Sequence, residues 1–323
     1  MKLKIWPAFF LYMLINEIEA QQLTQWSSFY ENGFMQNPAL TARWNTWELS
    51  TTYKKEWTGF DGGPEVGTIG FQYPFIRRFT RMTMGAYVSY DRVGPLNTIN
   101  YALTYAYKIR TKWFGNRDDV LSFGLKGGLV NYRFDPTTLR PYDKPEGNNI
   151  VLTQQTTITP DIVGGIFYNS VSDFYSFKSH YFMGLALTNI MSSSINSLPN
   201  EFINTVPHVF IHGGYRYFPW RAKYYFEPSL FISYTYQRPF NAMASCRFEM
   251  LDKFWLNSGG STNGEVFFQT GVIFDKKSIL GSLVKDGLLR MGVKADYSLS
   301  SLRRYSGIGY EFYMAYLFSN EPY

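Results

Sequence analysis

The chain has 323 residues, of which 45% are hydrophobic, 19% aromatic and 17% charged, with a net charge of +6 and one cysteine. Aromatic content is well above that of an ordinary soluble domain and charge is below it. A mean hydropathy of −0.21, with no long apolar stretch after the first twenty residues, excludes a helical membrane protein. A single cysteine excludes a disulfide framework and a cysteine-rich metal or iron–sulfur site, so an all-β secreted protein or a transmembrane β-barrel is left.

Residues 1–20 open with Lys2 and Lys4, continue with an apolar run from Ile5 to Ile15, and end on Ala20 before a Gln-Gln pair. That is the layout of a secretory signal peptide cleaved after Ala20, and the run is too short to span a bilayer. Cleavage removes two lysines together with Glu17 and Glu19, so the charge stays at +6. The remaining Lys and Arg are scattered singly or in pairs, so nucleic acid is not an expected partner.

Residues 21–45 read as a separate segment. Trp26, Phe29, Tyr30 and Phe34 fall at helical spacing after a polar start, and Asn37-Pro38-Ala39 stops the helix. Proline lacks the N–H that a helix needs and biases the residue before it toward an extended conformation. A short helix with an aromatic face must bury that face, either as a plug in a barrel lumen or as a lid on its periplasmic mouth.

From residue 46 onward the period is two. In Asn97–Arg110, Ile99, Tyr101, Leu103, Tyr105, Tyr107 and Ile109 share one face, and Thr98, Asn100, Ala102, Thr104, Ala106 and Lys108 share the other. Fourteen such segments are predicted. The first seven are Trp47–Trp57, Glu65–Phe75, Arg81–Tyr90, Asn97–Arg110, Val120–Phe134, Thr157–Asn169 and Ser179–Asn189. The second seven are Val206–Phe218, Lys223–Tyr236, Phe240–Met250, Lys253–Ser261, Gly264–Phe274, Leu288–Leu299 and Gly307–Ser319. Sandwich strands are usually about 5–6 residues, and these have the length a tilted strand needs to cross a membrane. An even count returns both ends of a closed barrel to one side. The expected fold is therefore all-β, a transmembrane antiparallel β-barrel of about 14 strands preceded by a short N-terminal helix or plug segment. The outward faces read as aromatic and the inward faces as rich in Ser, Thr, Asn and charge. Glu227, Glu249, Glu265, Asp296 and Glu311 fall inward, where they are placed to pair with lumen Arg or Lys.

Several stretches then carry a resemblance. Gln21-Gln22, Gln25-Trp26-Ser27, Asn37-Pro38-Ala39 and Trp57-Thr58-Gly59-Phe60-Asp61-Gly62-Gly63-Pro64 resemble the opening of PorP/SprF proteins. These are outer-membrane components of the Bacteroidetes type IX secretion system, some linked to gliding motility. Asp91-Arg92-Val93-Gly94-Pro95-Leu96-Asn97, Lys253-Phe254-Trp255-Leu256, Leu289-Arg290-Met291-Gly292 and Asp296-Tyr297-Ser298-Leu299 continue the likeness in order. The chain departs from the family pattern at Glu31-Asn32-Gly33, which interrupts the helix, and at Leu40. The resemblance implies an outer-membrane location and a non-enzymatic barrel that supports secretion or surface anchoring of partner proteins. The implied partners are outer-membrane lipid, other secretion components and adhesins with a C-terminal secretion domain, and no cofactor is implied. A hydrophobic small-molecule channel of the fatty-acid transporter type is also similar, in strand number and in an N-terminal hatch with Asn-Pro-Ala.

Physically, Gly59, Gly62, Gly63 and Pro64 suit a tight turn between strands, and Gly94-Pro95 suits another. Trp57 and Phe60 are placed to pack the N-terminal helix against the rim, and Asp61 to cap a turn or hold an arginine. Enzyme chemistry is not indicated. His180, His208 and His212 are the only histidines, and four residues along a strand would put the last two about 13 Å apart, too far to chelate one ion. Cys246, among Ala242, Ala244 and Ser245, reads as an inert packing residue, and Gly124–Gly128 as relief of crowding at barrel curvature. No P-loop, dinucleotide fingerprint or nucleophile elbow occurs.

Overall fold

The computed structural model describes residues 29–59, 62–75, 81–111, 119–135, 154–171, 178–190, 206–235, 240–251, 253–276, 278, 284, 287–299 and 306–318. The expected signal peptide, Trp26, Phe60 and Asp61 lie outside the described residues.

Fourteen strands form one closed antiparallel barrel. In chain order they are β1 Trp47–Lys55, β2 Glu65–Pro74, β3 Met82–Val93, β4 Leu96–Thr111, β5 Asp119–Phe134, β6 Gln155–Asn169 and β7 His180–Thr188. They continue with β8 His208–Arg216, β9 Tyr224–Thr235, β10 Asn241–Met250, β11 Phe254–Ser261, β12 Glu265–Phe274, β13 Gly287–Ser298 and β14 Ile308–Phe318. Each matches a segment predicted from period two, to within a few residues at its ends. Pairing of β1 with β14 closes the ladder, which removes the sheet edges that hydrocarbon cannot solvate.

The alternation sets the two faces. In β4, Tyr101 and Leu103 are 52% and 70% exposed, whereas Ala102, Thr104, Ala106 and Lys108 are buried on the lumen side. Lipid is the solvent for the outer face. Replacing Leu103 by Lys is therefore expected to cost about 2–4 kcal/mol if it lies at bilayer midplane. A denaturant refolding titration into lipid vesicles measures this, and an effect near zero would place Leu103 outside the hydrocarbon. Cys246 is also exposed, on the outer wall of β10. It meets bilayer rather than the protein packing expected for it.

Trp47 and Phe318, at the start and end of the barrel, are register partners. The two longest connections, β5–β6 and β7–β8, both lie at the opposite end. Long loops of such barrels are extracellular, so Trp47 and Phe318 mark the periplasmic end.

Helix α1, Phe29–Gln36, is broken at Asn32, whose φ of −120° and ψ of 23° are not helical. This is the Glu31-Asn32-Gly33 interruption. A single 3-10 turn follows over Pro38–Leu40, with Asn37 as its N-cap. Asn32 Nδ2 donates to Thr52 Oγ1 of β1 at 2.6 Å, and Thr41 Oγ1 shares a 2.9 Å hydrogen bond with Thr104 Oγ1 of β4. Arg247 Nη1 of β10 donates to Glu31 Oε1 at 2.8 Å. Bonds to well-separated parts of a closed wall place the segment in the lumen.

The lumen is less polar than its sequence suggests. Phe34, Met35, Ala39 and Leu40 of the inserted segment join Tyr87, Phe167, Phe182, Phe210, Phe231, Met243 and Phe267 in one buried apolar cluster. These wall residues point inward from β3, from β6 to β10 and from β12, so the aromatics serve both faces.

Candidate functional site

The centre of the lumen is built around Asn37, which is fully buried. Its Oδ1 accepts from Ala39 N at 3.0 Å, which closes the turn. Its Nδ2 donates to Ile166 O of β6 at 3.2 Å and to Leu185 O of β7 at 3.4 Å. Pro38 at the first helical position needs no N–H partner. Thr41 Oγ1 also donates to Pro38 O at 2.7 Å, and Thr83 Oγ1 of β3 donates to Thr41 O at 2.8 Å. The Asn37 amide and the Thr41 hydroxyl are thus satisfied partly within the turn and partly by the wall, as burial demands.

The wall receives the turn through missing side chains. A Cβ at Gly124 of β5 would fall on the backbone of Pro38 and Ala39, one at Gly165 of β6 on Asn37, and one at Gly184 of β7 on Asn37 and His212. Gly124 and Gly165 are register partners. Gly124 therefore relieves crowding against the inserted turn rather than against barrel curvature. After the turn, Ala42 N donates to Gln72 Oε1 of β2 at 2.7 Å. Lys108 Nζ of β4 donates to Ala42 O and to Asn45 Oδ1, the latter at 2.9 Å. The Arg43 guanidinium lies over Phe167 and Phe182, 4.8 and 4.4 Å from their ring centroids, a cation–π arrangement.

Ion pairs line the remaining wall. Glu249 of β10 accepts from Arg247 Nη2 and Arg290 Nη2, each at 2.7 Å. Arg216 pairs with Glu227, and Lys126 with Asp161 at 2.6 Å. Lys294 stands 3.4–3.7 Å from Glu265, Asp296 and Glu311. All five carboxylates read as inward from sequence are in ion pairs. Trp255, fully buried, has the guanidinium groups of Arg247 and Arg290 over its ring, at 5.1 and 4.9 Å from the centroid. The inserted segment and the wall enclose a cavity of about 100 Å³ bordered by Glu31, Glu48, Arg43, Arg216, Arg247 and Arg290. With Glu227 and Glu249 behind it, its four guanidinium groups face four carboxylates, the balance of a packed ion-pair network rather than of an anion site.

Trp57, Gly59, Gly62 and Pro64 lie in the β1–β2 connection at the extracellular end, and Gly94-Pro95 in the β3–β4 turn. Gly59 N donates to Ser306 O at 3.2 Å, Thr58 Oγ1 to Ile308 O at 2.8 Å, and Gly94 N to Gly62 O at 3.2 Å. Gly62 and Gly94 have φ of +82° and +56°, where glycine avoids the Cβ clash. These bonds stitch three neighbouring connections into one rim, at the β1–β2, β3–β4 and β13–β14 hairpins. Within the inserted segment, Phe29 and Tyr30 belong to α1 and Phe34 is 2% exposed. Phe34 meets the Tyr87 ring edge-on at 5.8 Å.

His212 stacks on Phe167 at 5.6 Å, and the Nδ1 atoms of His208 and His180 lie 2.7 and 2.9 Å from backbone carbonyls. Among the described residues no group of His, Cys, Asp and Glu is arranged to hold a metal. The seat glycines, Thr41, Lys108 and Gln72 escaped sequence reasoning. Their one available signal was glycine at lumen parity, as in the series Ser122, Gly124, Lys126.

The family model for the type IX secretion system membrane protein PorP/SprF matches residues 18–316. The chain belongs to the PorP/SprF family. The likeness first visible in the Trp57–Pro64 and Asp91–Asn97 runs thus extends over nearly the whole chain, and PorP/SprF membership places the barrel in the outer membrane. Among solved structures, this PorP/SprF barrel is similar to the CymD monoaromatic hydrocarbon channel, with a TM-score of 0.53, 10% identity, and coverage of 90% of this chain and 93% of that one. It is also similar to a Pseudomonas aeruginosa FadL homologue (TM-score 0.46, 9% identity, coverage 88% and 93%). The Acinetobacter baumannii outer membrane protein Omp33 is a third (TM-score 0.44, 7% identity, coverage 86% and 100%). Identities this low establish the fold alone. No curated protein matches the sequence.

Proposed function

We propose that this PorP/SprF barrel is a closed outer-membrane scaffold of the type IX secretion machinery, supporting secretion or surface anchoring of a partner protein such as an adhesin. Residues 1–20 act as the export signal, residues 21–45 as the plug segment, and residues 46–323 as the barrel. The observation that carries the reading is the filled lumen. The Asn37-Pro38-Ala39 turn is bonded to the wall, and Phe210, Phe231, Met243 and Phe267 pack inward beyond it. A wall whose lumen is occupied by its own side chains suits holding a partner at its rim better than conducting solute. No catalytic step is assigned, since the lumen carboxylates are engaged in ion pairs. Where the anchored adhesin drives surface movement, gliding depends on the barrel.

The test is affinity purification of the native protein from outer membranes, with a planar-bilayer recording of the same preparation. Recovery of a secretion component or a surface adhesin, with no conductance steps, is expected. Recovery of neither partner would overturn the proposal. The apolar lumen cluster favours one second reading, a hydrophobic small-molecule channel. Stoichiometric lipid extracted from the purified barrel would decide for it.

A further inference from the structure

We infer that Arg92, Asn97 and Arg133 form a docking site, on the outer wall, for the phosphate of an anionic glycolipid in the extracellular leaflet. Arg92 of β3 and Asn97 of β4 are register partners, and Asn97 in turn pairs with Arg133 of β5. Register partners on adjacent strands share a face, so the two arginines stand about 10 Å apart at Cα with one amide between them. Parity turns all three outward. The exposed residues are at even positions on β3 (Met84, Val88, Tyr90) and at odd positions on β4 (Tyr101, Leu103) and β5 (Leu125, Leu129).

The three residues lie where β3, β4 and β5 meet the β3–β4 turn and the long β5–β6 connection, at the extracellular end. Two residues down each strand come Tyr90, Ile99 and Asn131, and two further down come Val88, Tyr101 and Leu129. The wall thus passes from apolar to cationic over about 13 Å of strand. Arginine on a lipid-facing wall costs least at the interface, the level that tyrosines mark. Glu65, the acid in register with Arg92, is paired with Lys55 at 2.7 Å. Among the described residues no carboxylate forms an ion pair with Arg92 or Arg133, and the Gln154 amide beside Arg133 is neutral. Tyr90 Oη donates to Asn97 Oδ1 at 3.2 Å, which leaves the Asn97 amide to donate. Asp135 N donates to Pro95 O at 2.8 Å, tying the end of β5 to the β3–β4 turn and fixing the spacing of the arginines. Guanidinium forks match phosphate oxygens, and Val88, Tyr101, Leu103 and Leu129 below them take acyl chains. Phosphate above and hydrocarbon below suit a lipid better than an acidic protein loop.

The test is native mass spectrometry of the full-length barrel, loaded in detergent with phosphorylated lipid A or with the same lipid A after phosphatase treatment. The parent is expected to retain the phosphorylated form about 25-fold better, each of two surface cations contributing about fivefold. This comparison needs no substitution. Arg92→Gln with Arg133→Gln is expected to erase the preference. Lys223→Gln with Lys253→Gln, which removes two exposed lysines at the periplasmic end, is expected to keep it, with folding of both double variants checked by heat-modifiable gel mobility. Equal retention of the two lipids by the parent, or equal loss of preference in the two double variants, would overturn the inference.

Discussion

Gly124→Leu is expected to drive the plug out of its seat while the barrel stays closed. A Cβ at this position would overlap the backbone of Pro38 and Ala39, and backbone cannot move aside by changing a rotamer. Overpacking of this kind costs about 1–3 kcal/mol even where neighbours can adjust. Here the two sides are unequal. The barrel is held by fourteen ladders, whereas the plug is held by a few hydrogen bonds, the Arg247–Glu31 ion pair and one apolar cluster. The plug therefore yields first. Ala39 is 1% exposed, so Ala39→Cys is expected to resist maleimide in the parent and to label almost completely beside Gly124→Leu. Cys246, exposed on the outer wall, is replaced by Ala beforehand. Gly127→Leu is the control, because a Cβ at Gly127 meets nothing within 4 Å. Persistent protection of Ala39→Cys beside Gly124→Leu would mean that the notch does not hold the turn.

The strands were legible because their two faces meet different solvents. In β14, Ile308, Phe312 and Met314 face lipid while Glu311 and Ala315 face the lumen, and that contrast repeats at period two. The same rule is why the apolar lumen went unread. In β6 and β7, Ile166, Met183 and Leu185 face outward while Phe167, Phe182 and Ala186 face inward, so no contrast marks which side is which. Proline in Asn37-Pro38-Ala39 announced the end of the helix through local geometry. The notch that receives it needs Gly124, Gly165 and Gly184 brought side by side from three strands, and no local signal encodes that register. The ion pairs divide in the same way. Arg247 and Glu249, two apart on one strand, share a face by parity alone. Arg290 reaches Glu249 from β13 and Glu31 reaches Arg247 from the plug, across 41 and 216 residues of chain.

That shared carboxylate makes Glu249→Gln the second large effect. Glu249 is 1% exposed and accepts from both Arg247 and Arg290. Removing its charge leaves Arg290 with no carboxylate among its described bonds, while Arg247 keeps Glu31. Breaking a buried pair by deleting one partner costs about 3–5 kcal/mol, chiefly because the other charge stays buried and uncompensated. The double variant Glu249→Gln with Arg290→Met removes one charge of each sign and retains the Arg247–Glu31 pair, so it is expected to recover most of that loss. Denaturant titration of the folded barrel, followed by heat-modifiable gel mobility, measures both variants. Ion-pair burial also predicts little dependence on added salt, since screening acts weakly on buried charges. If the single variant unfolds with the parent, or the double is worse by the sum of its parts, Glu249 is not the charge that balances the two arginines. The outcome also bears on the plug. Arg247 is the wall residue that holds Glu31, so a guanidinium released from Glu249 should bind Glu31 more fully. Ala39→Cys should then stay protected in Glu249→Gln even as the barrel loses stability, the reverse of the pattern expected for Gly124→Leu.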